Sequence, residues 1–254
     1  MKQKFTSSFV PNLLTLGNLF CGFASVVYSF DADFKRAAIF VVIGAFFDLF
    51  DGVVARLIGV ASEFGGQLDS LSDVVTFGLA PSILLYQFHF HEFGEIGILL
   101  SSVPALFGAL RLARFNVQLD SLEDKKYFVG MPIPSSAMII ISYVYFNDIY
   151  INYISQNFIY LVTFMPPMLM ISNVHFVNMP RPSLKNIKKR PFYFSLFFGI
   201  IVSVLATKFR LFMPYMVIYM IIATVKHIYN WINLDNTIEV DFEEFIIEQS
   251  EQNE

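Results

Sequence analysis

The chain has 254 residues, of which 56% are hydrophobic and only 15% are charged, and its mean hydropathy is +0.58. A soluble domain of this length could not bury so much apolar surface, so the composition excludes an ordinary soluble globular protein and predicts a protein of the lipid bilayer. The single cysteine, Cys21, excludes a disulfide within the chain, and the net charge of −4 comes without the basic face that binding to nucleic acid requires.

About eight apolar segments are each long enough to cross the hydrocarbon core, which takes about 20 helical residues. They cover roughly residues 11–30, 37–60, 64–88, 95–114, 132–147, 153–174, 191–207 and 211–232. No small-residue cleavage site follows the first segment, so we expect it to be retained as a span. The sequence therefore predicts an all-α fold, a polytopic membrane helix bundle of about eight transmembrane helices.

The distribution of Lys and Arg predicts the orientation of these spans. If the N-terminus is cytoplasmic, 13 of the 17 Lys and Arg residues lie on or near the inner side of the membrane. The four that fall outside are Lys35, Arg36, Lys208 and Arg210. This agrees with the excess of positive charge that cytoplasmic loops carry, and it favours eight spans with both termini cytoplasmic. We expect one membrane domain over residues 1–234 and an acidic cytoplasmic tail over residues 235–254.

Four aspartates interrupt the second and third apolar segments, namely Asp48, Asp51, Asp69 and Asp73. A carboxylate well inside a bilayer costs roughly 2.5–3.5 kcal/mol on insertion scales, so four of them require cations or a water-filled cavity nearby. At about 100° per residue, each pair falls on one face of its helix, and small residues on the same faces let the two helices approach each other. We therefore expect the four carboxylates to converge near the cytoplasmic ends of the two spans.

The chemistry of the donors indicates what this cluster would hold. Oxygen donors without histidine or cysteine are typical of Mg²⁺ or Mn²⁺ rather than zinc. Four carboxylates carry more charge than one such ion balances, which favours two metal ions, or one metal ion and a free base. Magnesium completes its shell with waters and substrate phosphates, so we interpret the cluster as a diphosphate clamp. Arg56, one turn beyond Gly52, is placed to add a fixed cation.

The spacing of these residues resembles the signature of the CDP-alcohol phosphotransferase family at every fixed position. The pattern is Asp48-x2-Asp51-Gly52-x2-Ala55-Arg56-x8-Gly65-x3-Asp69-x3-Asp73. The resemblance implies a two-metal site that faces the cytoplasm, with Asp48, Asp51 and Asp69 as metal ligands. It implies that Asp73 is both a ligand and the general base, and that Gly52 and Arg56 contact the CDP group. It also implies a homodimer.

Four further stretches resemble the phosphatidylserine synthases of bacteria and archaea, at residues 11–23, 72–81, 109–116 and 128–134. The resemblance implies transfer of the phosphatidyl group of CDP-diacylglycerol to L-serine, with release of CMP, in the inner membrane of the cell. Arg111 and Arg114 are three residues apart and therefore neighbours on a helix, so they are candidates to hold the serine carboxylate. Further candidates for binding the CDP-lipid are Asn12, Thr15, Ser62 and Gly65.

Several alternatives stay open at this level. The two arginines could be positive anchors that reach the headgroups, and Asn12 and Thr15 could be a helix cap and an ordinary helix hydroxyl. The acceptor could be glycerol 3-phosphate, inositol or choline instead of serine. In a different class, the aspartates could form a structural ion-pair network or the cation site of a divalent-metal transporter.

Overall fold

The computed structural model of the chain describes residues 9–59, 62–119, 128–150, 157–172 and 175–176, together with short helical pieces between residues 199 and 225. Its elements in chain order are α1 (Phe9–Phe30), α2 (Phe34–Ile58), α3 (Glu63–Asp73), a π-helix (Val74–Leu79), α4 (Ala80–Phe88), a 3₁₀-helix (Phe90–Phe93), α5 (Gly94–Leu119), β1 (Phe128–Val129), α6 (Ile133–Tyr150), α7 (Phe158–Ile171) and β2 (His175–Phe176). The helical class that the composition predicts is therefore confirmed for this part of the chain.

Within the described residues, four helical stretches are long and apolar enough to cross a membrane, namely Phe9–Phe30, Phe34–Ala55, Glu63–Phe88 and Phe90–Val117. They coincide with the first four predicted spans. Helices α6 and α7 lie where the fifth and sixth spans are predicted. The predicted seventh and eighth spans fall mostly outside the described residues, and the predicted tail over residues 235–254 lies wholly outside them.

The core lies around α6, which packs against α2, α4, α5, α7 and the π-helix. The consecutive residues Ile139, Ile140 and Ile141 are all buried. Because consecutive helical residues point about 100° apart, α6 is covered on most of its circumference. By contrast, one face of α1 exposes large apolar side chains such as Phe20 and Phe23, as expected for a surface in contact with lipid.

A short connection between α2 and α3 brings the two aspartate-bearing helices together. Gly59 follows α2 with a φ of 70°, a left-handed conformation that glycine adopts readily at the end of a helix. Ser62 is the N-cap of α3, because its Oγ accepts a hydrogen bond from the backbone N–H of Gly65 at 3.0 Å. Because only residues 59–62 separate the two helices, the end of α2 lies near the beginning of α3.

Candidate active site

Three of the four predicted aspartates converge. Asp48 and Asp51 lie in α2 and Asp69 in α3, and one carboxylate oxygen from each lies within 4.8 Å of the others. This is a separation at which one divalent cation, or a closely spaced pair of cations, can bind oxygens from all three side chains. The structure thus brings together, from two helices, three of the four aspartates that the sequence analysis proposed as ligands.

The local chemistry of this cluster fits a hard divalent cation. Asp51 is buried, and one oxygen of Asp69, Oδ1, is buried without a hydrogen-bond partner among the described residues. A buried acceptor without a donor is unfavourable, whereas a bound cation would satisfy it. The three side chains offer oxygen atoms alone, which suits magnesium or manganese. The cluster can therefore bind a metal ion.

An open cleft of about 210 Å³ lies beside the metal-binding cluster. It is lined by Pro11, Asn12, Thr15, Asp51, Gly52, Ala55, Ser62, Gly65, Gly66 and Asp69. Six residues that the sequence analysis proposed for metal or CDP-lipid binding thus share one cavity with Asp69. Arg56 lies in α2 one turn beyond Gly52, and its side chain is outside the described part of the structure.

Gly65 lets α1 and α3 approach each other at the rim of this cleft. A Cβ atom at this position would lie 3.0 Å from Ser62 Oγ and 3.3 Å from Asn12 Oδ1. Ser62, Gly65 and Gly66 line the cavity, so the first turn of α3 and the positive end of its helix dipole border it. Such a helix end favours an anionic ligand such as a phosphate group.

Helix α1 donates one hydrogen bond to an aspartate of α2 and another to an aspartate of α3. Thr15 Oγ1 donates to Asp51 Oδ2 at 2.8 Å, and Asn18 Nδ2 donates to Asp73 Oδ1 at 3.2 Å. Asn18 was not among the predicted site residues. The signal that could have identified it is its spacing, since a polar residue three positions after Thr15 lies on the same face of an otherwise apolar helix.

Two further hydrogen bonds fix α1 against the helix that carries Asp73. Ser72 Oγ donates to the backbone carbonyl of Thr15 at 3.2 Å, and Thr76 Oγ1 donates to the backbone carbonyl of Asn18 at 2.9 Å. All of these groups are buried. The geometry of the aspartates thus depends on three helices, not on the two that carry them.

The two predicted serine-binding arginines have different surroundings. Arg111 is half-buried in α5, and its guanidinium carbon lies 5.6 Å from the centroid of the Phe115 ring. It also lies close enough to Asp73 for their charges to interact. Arg114 Nη1 donates to the backbone carbonyl of Ile171 at 3.0 Å, which ties α5 to the end of α7. Arg111 therefore lies within electrostatic range of the aspartate site.

The amino-acid sequence is similar to that of known proteins over most of its length. Residues 8–175 match the sequence pattern of the CDP-alcohol phosphatidyltransferase family. A Helicobacter pylori (strain J99 / ATCC 700824) protein named CDP-diacylglycerol–serine O-phosphatidyltransferase is 34% identical over 226 residues, which cover 87% of this chain and 94% of that protein.

Two further relatives extend this similarity across bacteria and archaea. The Bacillus subtilis (strain 168) protein of the same name is 37% identical over 140 residues, or 54% of this chain and 77% of that protein. The archaetidylserine synthase of Methanothermobacter thermautotrophicus is 38% identical over 180 residues, or 69% of this chain and 73% of that protein. All of the site residues described above lie within residues 8–175, where the family pattern matches.

Proposed function

Because the chain belongs to the CDP-alcohol phosphatidyltransferase family, we propose that it transfers the phosphatidyl group of CDP-diacylglycerol to L-serine, giving phosphatidylserine and CMP. One structural observation carries the proposal, which is the convergence of Asp48, Asp51 and Asp69 beside an open cleft. The choice of serine as acceptor rests on the names of the similar proteins and on the position of Arg111.

The reaction exchanges one phosphorus–oxygen bond for another. The hydroxyl oxygen of serine attacks the phosphorus that carries the diacylglycerol, and the bond from that phosphorus to the CMP oxygen breaks with its electron pair on CMP. Asp73 accepts the hydroxyl proton as general base and later releases it to water. Bound Mg²⁺ or Mn²⁺, in a two-metal site held by the four aspartates, would neutralise the diphosphate and the charge on the leaving oxygen.

The cleft is the proposed site for the CDP group of the lipid. Gly52 and Gly65 allow close approach of the ligand to the backbone, and the first turn of α3 and Arg56 supply positive charge for the diphosphate. Asn12, Thr15 and Ser62 complete the proposed binding residues. The hydroxyl of Thr15 already donates to Asp51, so we assign it to holding that ligand at the edge of the cleft.

The proposed acceptor pocket lies between Asp73 and Arg111. A guanidinium can bind a carboxylate through two parallel hydrogen bonds, which would hold serine with its hydroxyl towards the general base. Arg114 is the second proposed contact with the serine carboxylate, although it also supports α7 through the carbonyl of Ile171. Arg111 is the stronger candidate because its charge interacts with Asp73.

The protein is an integral membrane protein, as its family and the four long apolar helical stretches among the described residues indicate. We place it in the inner membrane as a homodimer, with eight spans, both termini in the cytoplasm and the aspartate site facing the cytoplasm. Residues 1–234 would form the catalytic domain and residues 235–254 an acidic tail. The excess of Lys and Arg on the inner side supports this orientation.

The test is CMP release by the purified protein with CDP-diacylglycerol and Mg²⁺ or Mn²⁺, with and without L-serine. Asp73→Asn should lower serine-dependent release by about 10²–10⁴-fold, since it removes the proton acceptor. Asp148→Asn is the matched control, because Asp148 is exposed and its charged neighbours Asp33 and Lys35 lie towards the opposite end of α2 from Asp51. This control should keep wild-type activity.

Two other results would change the assignment. Release that only glycerol 3-phosphate, inositol or choline stimulates would keep the reaction but replace the acceptor. No release with any alcohol, together with metal uptake into vesicles that does not require CDP-lipid, would replace the enzyme by a divalent-cation transporter.

A further inference from the structure

Asn18 is fully buried in α1, and only one half of its side-chain amide is satisfied. The Nδ2 atom donates to Asp73 Oδ1, while Oδ1 is buried without a hydrogen-bond partner among the described residues. A leucine at this position of an apolar helix would bury no unpaired acceptor. Packing alone therefore does not explain an asparagine at this position. Its hydrogen bond to Asp73 gives it a role that leucine could not fill.

The negative charge of Asp73 determines which end of the amide faces it. If the amide were turned around, its oxygen would face a carboxylate oxygen, and two acceptors would repel each other. The backbone of Asn18 is held as well, because Thr76 Oγ1 donates to its backbone carbonyl. The amide oxygen lies close to Gly44, since a Cβ at Gly44 would lie 3.0 Å from Asn18 Oδ1. The N–H group of Asn18 thus faces Asp73 from a buried and closely packed part of α1.

We propose that Asn18 is a positioning residue for the transfer reaction. Its N–H group holds one carboxylate oxygen of Asp73, so that the other oxygen stays turned towards the hydroxyl that attacks phosphorus. A general base that rotates freely spends less time in the productive geometry, and a fixed donor removes that freedom. The inference rests on the proposed function for the identity of the reaction, but it concerns how the chain orients its own base.

The experiment compares Asn18→Ala and Asn18→Asp with the wild-type protein. Asn18→Ala removes the donor, whereas Asn18→Asp keeps the shape of the side chain and places an acceptor against Asp73. Ser25→Ala is the matched control, because Ser25 is on the same helix, is fully buried, and has an Oγ without a hydrogen-bond partner in the described residues. For each protein, kcat, the two KM values and the dissociation constant of Mn²⁺ are measured.

We expect kcat to fall by about 10–100-fold in both Asn18 variants, as for other residues that orient a catalytic group. In Asn18→Ala, the KM values for CDP-diacylglycerol and serine should change by less than about twofold, because substrate binding does not require the orientation of the base. The Mn²⁺ dissociation constant should rise much less than kcat falls, because Asp48, Asp51 and Asp69 converge without Asp73. Ser25→Ala should match the wild type in all four quantities.

Two results would overturn the inference. One is an Asn18→Asp protein with wild-type kcat, which would show that shape is sufficient. The other is a parallel loss of kcat, substrate binding and Mn²⁺ binding in Asn18→Ala, which would make Asn18 a structural residue. Failure of the proposed function would show separately, as wild-type protein that does not release CMP in response to serine. If another alcohol is the acceptor, the same variants are compared with that alcohol, and if no alcohol is used the inference falls with the reaction.

Discussion

At the scale of single residues, the hydroxyl of Thr15 has two acceptors within reach. Its Oγ1 lies 2.8 Å from Asp51 Oδ2 and 3.0 Å from the carbonyl of Pro11, one turn earlier in the same helix. A hydroxyl has one proton, and a bond to a carboxylate is stronger than a bond to a neutral carbonyl. Thr15 therefore orients Asp51 in the way that residues behind a metal site commonly orient its ligands.

Thr15→Val should weaken metal binding. The variant keeps the shape of the side chain but removes the donor to Asp51, so we expect the Mn²⁺ concentration for half-maximal activity to rise about 10-fold. Thr163→Val is the matched control, because Thr163 is also fully buried but its hydroxyl donates to Ile159 in its own helix, α7. An equal rise in both variants would mean that the effect comes from general destabilisation.

Arg111 and Arg114 should respond differently to substitution. Arg111→Gln removes the charge next to Asp73, so we expect the KM for serine to rise at least about 10-fold, while the KM for CDP-diacylglycerol changes little. Arg114→Gln should mainly lower thermal stability, by about 1 kcal/mol, because it weakens the hydrogen bond to the end of α7. Steady-state kinetics and thermal unfolding in detergent separate the two effects. If the KM for serine rises in Arg114→Gln but not in Arg111→Gln, Arg114 is the residue that binds the serine carboxylate.

At the scale of elements, the close approach of α1 to the π-helix determines where Asp73 lies. A Cβ at Gly22 would lie 2.5 Å from Thr76 Oγ1 and 2.8 Å from its Cα, and a Cβ at Gly44 would lie 2.6 Å from Thr76 Cγ2. Gly22 therefore lets α1 approach the backbone of the π-helix, and Gly44 lets α2 approach the side chain of Thr76. The π-helix begins directly after Asp73, and such segments occur frequently at functional sites.

Gly22→Ala should push α1 away from the π-helix. Because the added methyl group meets the Cα and side chain of Thr76, we expect a loss of about 1–3 kcal/mol in stability. We also expect a lower kcat, since Thr76 and Asp73 lie in one continuous helical stretch, Glu63–Phe88. In the control Gly66→Ala, a Cβ has no atom within 4 Å, so stability should be unchanged or rise by up to about 1 kcal/mol. Thermal unfolding of both variants tests this, and an unchanged Gly22→Ala protein would contradict the packing argument.

At the scale of the whole molecule, the proposed orientation makes opposite predictions for two exposed turns. The connection between α2 and α3 should face the cytoplasm, and the 3₁₀-helix Phe90–Phe93 should face outside. Glu63 and His91 are exposed at these two places. The single cysteine, Cys21, is buried and can be replaced by alanine to leave no native thiol.

In that background, we expect His91→Cys to react with a membrane-impermeant maleimide in cells whose inner membrane is intact but accessible. Glu63→Cys should react only after the membrane is permeabilised, because the bilayer separates it from the reagent. The opposite pattern would invert the protein in the membrane. Labelling of both residues from outside would contradict the assignment of Glu63–Phe88 as a span.

The sequence by itself determined the class of the protein and the identity of its chemical groups. Hydropathy shows which segments can enter a bilayer, and the first four predicted spans coincide with described helical stretches long and apolar enough to cross one. The signature from Asp48 to Asp73 named the three carboxylates that converge. These properties are readable because helix periodicity and residue type are local, so the face that carries each aspartate follows from its position in the helix.

The tertiary structure alone decided which residues support those groups. The bond from Asn18 to Asp73 joins residues 55 positions apart, and the bond from Thr15 to Asp51 joins residues 36 apart. The tie from Arg114 to Ile171 joins α5 to α7. Periodicity identifies a buried face, but not the neighbouring helix that the face meets or the depth at which it meets it. Those depend on how the whole bundle packs, and so the orientation of the proposed base could not be predicted from local pattern.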